Sequence, residues 1–200
     1  MSERPALHIG TDGVARCGWS GDDPEYQRYH DEEWGRPLHG DRALFEKLSL
    51  EAFQSGLSWI TILRRRPTFR SAFADFDIET VAAFDDHDVQ RLLADPGIIR
   101  NRAKIDATIA NARTLVDLVR DDPGALDRIV WGFAPPPRDP ADRPRAFGDL
   151  PAITSESTAA SKHLRKLGFR FVGPTTFYAL MQSAGLVDDH LAGCWRAEAA

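Results

Sequence analysis

The chain has 200 residues, enough for one domain to bury its own core without disulfide help. Hydrophobic residues at 42%, aromatic residues at 10% and charged residues at 28% exclude wholesale disorder and collagen-like order. Lys and Arg total 25 against 30 Asp and Glu, and the resulting net charge of −5 speaks, as an average, against a nucleic-acid partner.

Residues 1–14 carry Pro5, Gly10 and Gly13 with no hydrophobic period, and read as a leader outside the fold. A single domain is expected over 15–200. Tyr26, Tyr29 and Trp34 fall in a stretch that reads as loop. Asp41 looks like the N-cap of a helix in which Leu44, Phe45, Leu48 and Ala52 recur up to Gly56. A second helix is expected from Ser58 to Arg66, stopped by Pro67, followed by short helices at 67–74, after Asp77 and after Asp85. Ile98 to Val119 carries the longest helical pattern. The proline-rich run 134–151 is a loop. Two helices close the chain, one from Ser157 or Thr158 to Leu167 and one from Pro174 to Ala184, joined by a turn between Gly168 and Gly173. The class is all-α. No run approaches the roughly eighteen apolar residues of a membrane helix, and MSERPALHIG lacks the apolar core of a signal peptide, so a cytoplasmic protein is expected.

Cys17 and His30 are separated by twelve residues, and His190 and Cys194 by three, which would put the second pair one turn apart on a helical face. Two thiolates and two imidazoles suit tetrahedral zinc; two free thiols or one disulfide fit the same spacing. If zinc binds, four protein ligands leave no open position for water, and its role is structural.

Glu51 interrupts the apolar run Leu48 to Gln54, either on the solvent face or held inside deliberately. Trp59 follows beyond a Gly56-Leu57 turn, and Tyr26, Tyr29 and Trp34 precede it. Aromatic faces with one carboxylate suit a flat or cationic ring, while Trp19 and Trp34 serve equally well as core. Lys47, one turn before Glu51, reads as a solvated helix charge.

Arg16-Cys17-Gly18-Trp19, Tyr29-His30-Asp31-Glu32-Glu33-Trp34-Gly35, Leu50-Glu51 with Gln54 and Gly56-Leu57-Ser58-Trp59, Gly97-Ile98-Ile99-Arg100 with Lys104-Ile105, Gly168-Phe169 with Phe171-Val172-Gly173, and Val187 with Asp189-His190 and Cys194 resemble the 3-methyladenine DNA glycosylase I family, block for block and in order. The resemblance implies an all-helical helix-hairpin-helix glycosylase fold, with one structural zinc on Cys17, His30, His190 and Cys194 joining the termini. It implies hydrolysis of the N-glycosidic bond of 3-methyladenine by a monomeric enzyme acting on double-stranded alkylated DNA and releasing the free base. Glu51 would then hydrogen-bond the damaged base, Tyr29 and Trp59 stack on it, and Tyr26, Trp19 and Trp34 shape the walls. Gly56-Leu57 would wedge into the duplex, and the hairpin with Gly168, Val172, Gly173 and Thr175 would hold a phosphate. The alternative is a zinc-stabilised module that binds alkylated bases without cutting. One departure stands out: Asp188 occupies the position where other helix-hairpin-helix glycosylases carry a catalytic Asp and where this family commonly has Asn. Asp188 is therefore a candidate for stabilising the sugar cation or, more simply, a cap on the zinc-bearing turn.

Charge is segregated along the chain. Arg64-Arg65-Arg66 with Arg70, Arg100 with Arg102 and Lys104, and Lys162 with Arg165, Lys166 and Arg170 form basic clusters, two of which flank the wedge turn and the hairpin.

Overall fold

In a computed structural model, which describes residues 5–198, the chain groups into two compact units. Where a single domain over 15–200 was expected, the first unit gathers residues 5–37, 134–152 and 181–198, and the second comprises 38–133 and 153–180.

The first unit opens on a hairpin. Strand β1 (Leu7–Ile9) pairs antiparallel with β2 (Ala15–Cys17), Leu7 opposite Cys17. Residues 5–14 therefore belong to the fold, contrary to the expectation of a leader; residues 1–4 lie outside the described residues. The turn is built locally: the N–H of Gly10 donates to the Val14 carbonyl, the N–H of Gly13 to the Gly10 carbonyl, and Asp12 accepts from the Val14 N–H. All-α thus becomes mostly helical with one small hairpin. Helix α1 (Pro24–Glu32) replaces the expected loop, and its signals are local: the Asp23 carboxylate accepts from the N–H groups of Glu25 and Tyr26, and Pro24 takes the first helical position. The stretch 134–152 is irregular apart from two single 3₁₀ turns, Pro140–Asp142 and Phe147–Asp149. It is pinned by the Ala192 N–H, which donates to the Pro144 carbonyl at 2.8 Å.

The second unit is helical: α2 (Asp41–Gln54), α3 (Trp59–Ala72), α4 (Ile78–Ala82), α5 (Asp86–Ala94), α6 (Arg102–Arg120), α7 (Ala125–Trp131), α8 (Ser155–Leu167) and the start of α9 (Pro174–Ser183). A last turn, α10 (Trp195–Glu198), returns to the first unit. Helix α3 runs through Pro67 where a stop was expected. The packing explains it, because Phe69 and Ala72 beyond the proline are buried and Phe69 packs on Phe53 at 4.8 Å, outweighing one lost backbone bond. Asp41 is the first residue of α2 and caps a different helix: its carboxylate accepts from the N–H groups of Gly124 and Asp127 at 2.7 and 3.0 Å, at the start of α7. Asp77 and Asp85 cap α4 and α5 as their sequence positions predict. Among the described residues no helix is long and apolar enough to cross a membrane.

Candidate functional site

The first unit brings Cys17, His30, His190 and Cys194 together, all buried, with their donor atoms within 4.8 Å of one another. Cys17 ends β2, His30 lies on α1, and His190 and Cys194 sit on a turn that precedes α10; no helical face carries the last pair. The Cys194 sulfur lies 3.4 Å from His30 Nε2 and 3.7 Å from His190 Nδ1, and the Cys17 sulfur 3.8 Å from His190 Nδ1. Sulfur–nitrogen edges of a zinc tetrahedron with ordinary bond lengths are about 3.5 Å, so the donor set fits a single ion. Chemistry agrees with geometry. Two buried sulfurs this close cannot both ionise unaided: the hydrogen bond between them and burial drive the Cys17 thiol up, while accepting that bond holds Cys194 down. A divalent cation supplies the charge both thiolates need.

The ring orientations are fixed from behind. His30 Nδ1 lies 2.7 Å from Asp31 Oδ1, which leaves Nε2 for a metal. Asp31 also accepts from Arg16 Nε and Nη2, at 2.8 to 3.0 Å, and from Trp195 Nε1 at 2.9 Å. Burial would raise the Asp31 carboxyl, but its bonds to Arg16, His30 and Trp195 hold it below the usual range. His190 stands edge-on to Trp34 at 4.6 Å, and its Nε2 faces Gly35. Gly35 has φ +74, and a Cβ there would lie 2.9 Å from that nitrogen, so the position demands glycine. Asp31, Arg16 and Trp195 were not singled out from sequence, although a carboxylate adjacent to a ligating histidine is a usable signal.

Trp19 is the hub of an aromatic cluster in the same unit, 4.8 Å from Tyr26, 6.2 Å from Tyr29 and 5.2 Å from Trp34. Tyr29 and Trp34 are buried and Trp19 and Tyr26 half-buried. Asp188 spans two partners: Oδ2 accepts from Arg143 Nη1 at 2.7 Å and Oδ1 from the His190 N–H at 3.1 Å. The neighbouring Asp189 is buried and accepts from Arg138 and Gln182.

In the second unit α2 places Glu51 inside, at 5% exposure, which decides between the two readings of that carboxylate. Lys47 is a correction: at 8% exposure it is no solvated charge, and its ammonium lies over the Trp59 ring, 5.3 Å from the centroid. Four residues apart on one helix, the two opposite charges face the same way and offset each other's desolvation. Beyond α2 the chain turns at Gly56, and Leu57 stands 39% exposed at the tip, its N–H donating to the Gln54 carbonyl at 2.7 Å.

The connection between α8 and α9 holds Gly168, Val172 and Gly173, with Thr175 exposed in the first turn of α9 and Val172 buried. Lys162, Arg165 and Lys166 line an open cavity of about 500 Å³ with Thr158, Ser161 and Pro174. The other basic clusters are smaller than the sequence suggested. Arg65 donates to the carbonyls of Pro96 and Ile98, Arg70 pairs with Glu46, Arg102 with Asp106, and Lys104 is buried. Arg64 and Arg100 are exposed, so basic surface remains at these clusters as well as at 162–170.

The chain is thus a mostly helical protein whose first unit holds four buried donor atoms that could bind one metal ion and whose second unit buries a carboxylate on α2. Comparison with known proteins narrows the class. Residues 19–197 match the model of the methyladenine glycosylase family. DNA-3-methyladenine glycosylase 1 of Escherichia coli (strain K12) is 45% identical over 181 residues, 90% of this chain and 96% of that protein. A crystal structure of 3-methyladenine DNA glycosylase I superposes with a TM-score of 0.85 at 43% identity, covering 90% of this chain and 98% of that one. The Staphylococcus aureus 3-methyladenine DNA glycosylase I, in a structure addressing 3-methyladenine recognition, gives 0.80 at 35% identity, covering 86% and 91%. The chain belongs to the methyladenine glycosylase family.

Proposed function

We infer that this protein is a DNA base-excision glycosylase that hydrolyses the N-glycosidic bond of 3-methyladenine in double-stranded alkylated DNA. The observation that carries the reading furthest is the burial of Glu51 on α2, in a chain of this family, with the Trp59 ring following the exposed turn. A buried carboxylate is retained where it accepts hydrogen bonds, and a 3-methylated adenine offers donors on its edge. Trp59 supplies a ring face that attracts the cationic base. Extruding the nucleotide costs a few kcal/mol, less for a damaged base, and Leu57 fills the gap left in the stack.

Methylation at N3 makes the base a cationic leaving group. When the C1′–N9 bond breaks, its electrons pass to the ring and the base departs neutral; water adds to the sugar cation and loses a proton. Recognition does most of the work, and no metal is needed at the reacting bond. The test is chromatographic: free 3-methyladenine must appear when the protein is incubated with methylated DNA. A binding module that does not cut leaves none.

Zinc is the ion we assign to the four-donor site, with a structural role. Through the Asp31 carboxylate it is braced by Arg16 and Trp195. Asp31→Asn keeps the size of the side chain and removes the charge behind His30; outer-shell changes of this kind cost about 10- to 100-fold in metal affinity. Competition with a zinc-binding dye should show that loss, and unchanged affinity would remove Asp31 from the site's support.

Asp188 we assign to bracing the metal-bearing turn through Arg143 and the His190 N–H. Asp188→Asn should leave the single-turnover excision rate within about twofold. A fall of a hundredfold or more would restore Asp188 as stabiliser of the sugar cation.

A further inference from the structure

Two of the buried polar side chains on α6 hold backbone far from them in sequence. Lys104 Nζ donates to the carbonyls of Phe53 and Ser55, at 3.0 and 2.9 Å, where α2 ends and the Gly56-Leu57 turn begins. Its side chain is 8% exposed, and burial lowers its pKa, so the ammonium is spent inward and is unavailable to a phosphate. Two turns further along the same helix face, Asn111 is 4% exposed and pairs with one residue of the α8–α9 connection by both ends of its amide. Nδ2 donates to the Arg170 carbonyl at 3.1 Å and Oδ1 accepts from the Arg170 N–H at 2.7 Å. One turn on again, Thr114 lies against Gly168: a Cβ at that residue, which has φ +107, would come 3.3 Å from Thr114 Oγ1. The next residue but two, Phe171, sits at φ +54, a conformation that side chains avoid unless neighbouring bonds impose it.

We propose that α6 fixes both DNA-facing turns of the second unit in one frame, with Lys104 and Asn111 as positioning residues for the wedge turn 54–58 and the hairpin 168–173. Seven residues of helix separate the two anchors, about 10 Å on one face. A rigid rod tied to one turn near its start and to the other at its middle sets the spacing between the side chain that enters the stack and the backbone that meets a phosphate. Both anchors bond to main chain, so the frame is independent of the side chains the turns present. That the turns face DNA rests on the function proposed above; that α6 holds them does not.

The test separates the two. Amide hydrogen exchange of the full-length protein is measured for Lys104→Met, which keeps the side-chain length, and Asn111→Leu. Exchange should accelerate about tenfold or more at residues 55–58 in the first variant and at 169–172 in the second, each leaving the other turn unchanged. Lys104→Arg should restore most of the protection. Uniform acceleration across the chain, or none, overturns the proposal. The role in recognition is read by a double-mutant cycle with Leu57→Ala, using preference for a duplex with a tetrahydrofuran abasic analogue over undamaged duplex. If Lys104 acts through the turn, Lys104→Met lowers that preference in the wild-type background and adds little once Leu57 is alanine. Additive losses overturn that role. A wild-type protein showing no preference at all would instead count against the glycosylase reading, while the exchange result still decides whether α6 holds the turns.

Discussion

Glu51→Gln should slow release of 3-methyladenine about ten- to a hundredfold while the protein stays folded. A charge-assisted hydrogen bond to a donor on the base is worth roughly 1.5 to 3 kcal/mol, and the amide keeps the shape of the carboxylate while losing its charge. Half of the amide also presents N–H groups, which meet the base's own donors with repulsion. The loss should appear in single-turnover excision, chemistry being the step that needs the base seated. The fold has reason to survive: Glu51 lies in a helix whose core contacts come from Leu44, Phe45, Leu48 and Phe53, all essentially fully buried, and none of these changes. Lys47 sharpens the expectation. Its ammonium remains over Trp59 at 5.3 Å, and without the carboxylate one turn away that buried charge is less well offset, so a lowered melting point of a few degrees should accompany the loss of rate. Lys47→Met combined with Glu51→Gln should recover the melting point without recovering the rate. Wild-type excision by Glu51→Gln would show that the recognition carboxylate is elsewhere.

How much of this was legible in the sequence depends on whether the signal was local. The caps of α4 and α5 were, because Asp77 and Asp85 bond within their own first turns. Helix α1 carried the same kind of signal in Asp23-Pro24, but few apolar residues follow, and a helix that packs aromatic rings instead of an aliphatic stripe is easily read as loop. Pro67 misled for the opposite reason: the local rule was sound, and tertiary burial of Phe69 overrode it. Asp41 obeyed capping chemistry on the wrong helix, at a partner more than eighty residues away that no window along the chain contains. The metal donors were visible as residue types and spacing, whereas their supporting shell was not, since Trp195 reaches Asp31 only once the chain is folded. Lys47 and Lys104 failed in the same way. Lysine defaults to solvent, and neither the aromatic face that receives one nor the helix-end carbonyls that receive the other lie near enough in sequence to be seen.

The same dependence on distant partners makes the metal site the place where one atom matters most to stability. Freshly purified protein should contain about one equivalent of zinc per chain, and Cys194→Ser should lose it. The four donors connect β2 and α1 with the turn at 190–194, so an ion held by them would close a loop running from residue 17 to residue 194. Closing so long a loop, together with neutralising two buried sulfurs, would make metal binding a large part of the first unit's folding free energy; the core cluster there is small, with Leu191 and Ala197 buried alongside the cysteines and partly buried Leu7, Trp19 and Phe147 packed against them. A loss of about 4 kcal/mol in a chain of this size lowers the melting point by roughly 8 to 16 °C. Chelation should act the same way and slowly. An ion held by all four side chains would have no coordination position open to solvent, and should leave only as the turn at 190–194 opens. Hydrogen exchange should then rise first at residues 15–32 and 188–197, with activity falling in step with that opening. Prompt loss of activity in a protein whose exchange is unchanged would place the metal at the chemistry instead, and purified protein with far less than one equivalent of zinc and an unaltered melting point in Cys194→Ser would remove the clamp altogether.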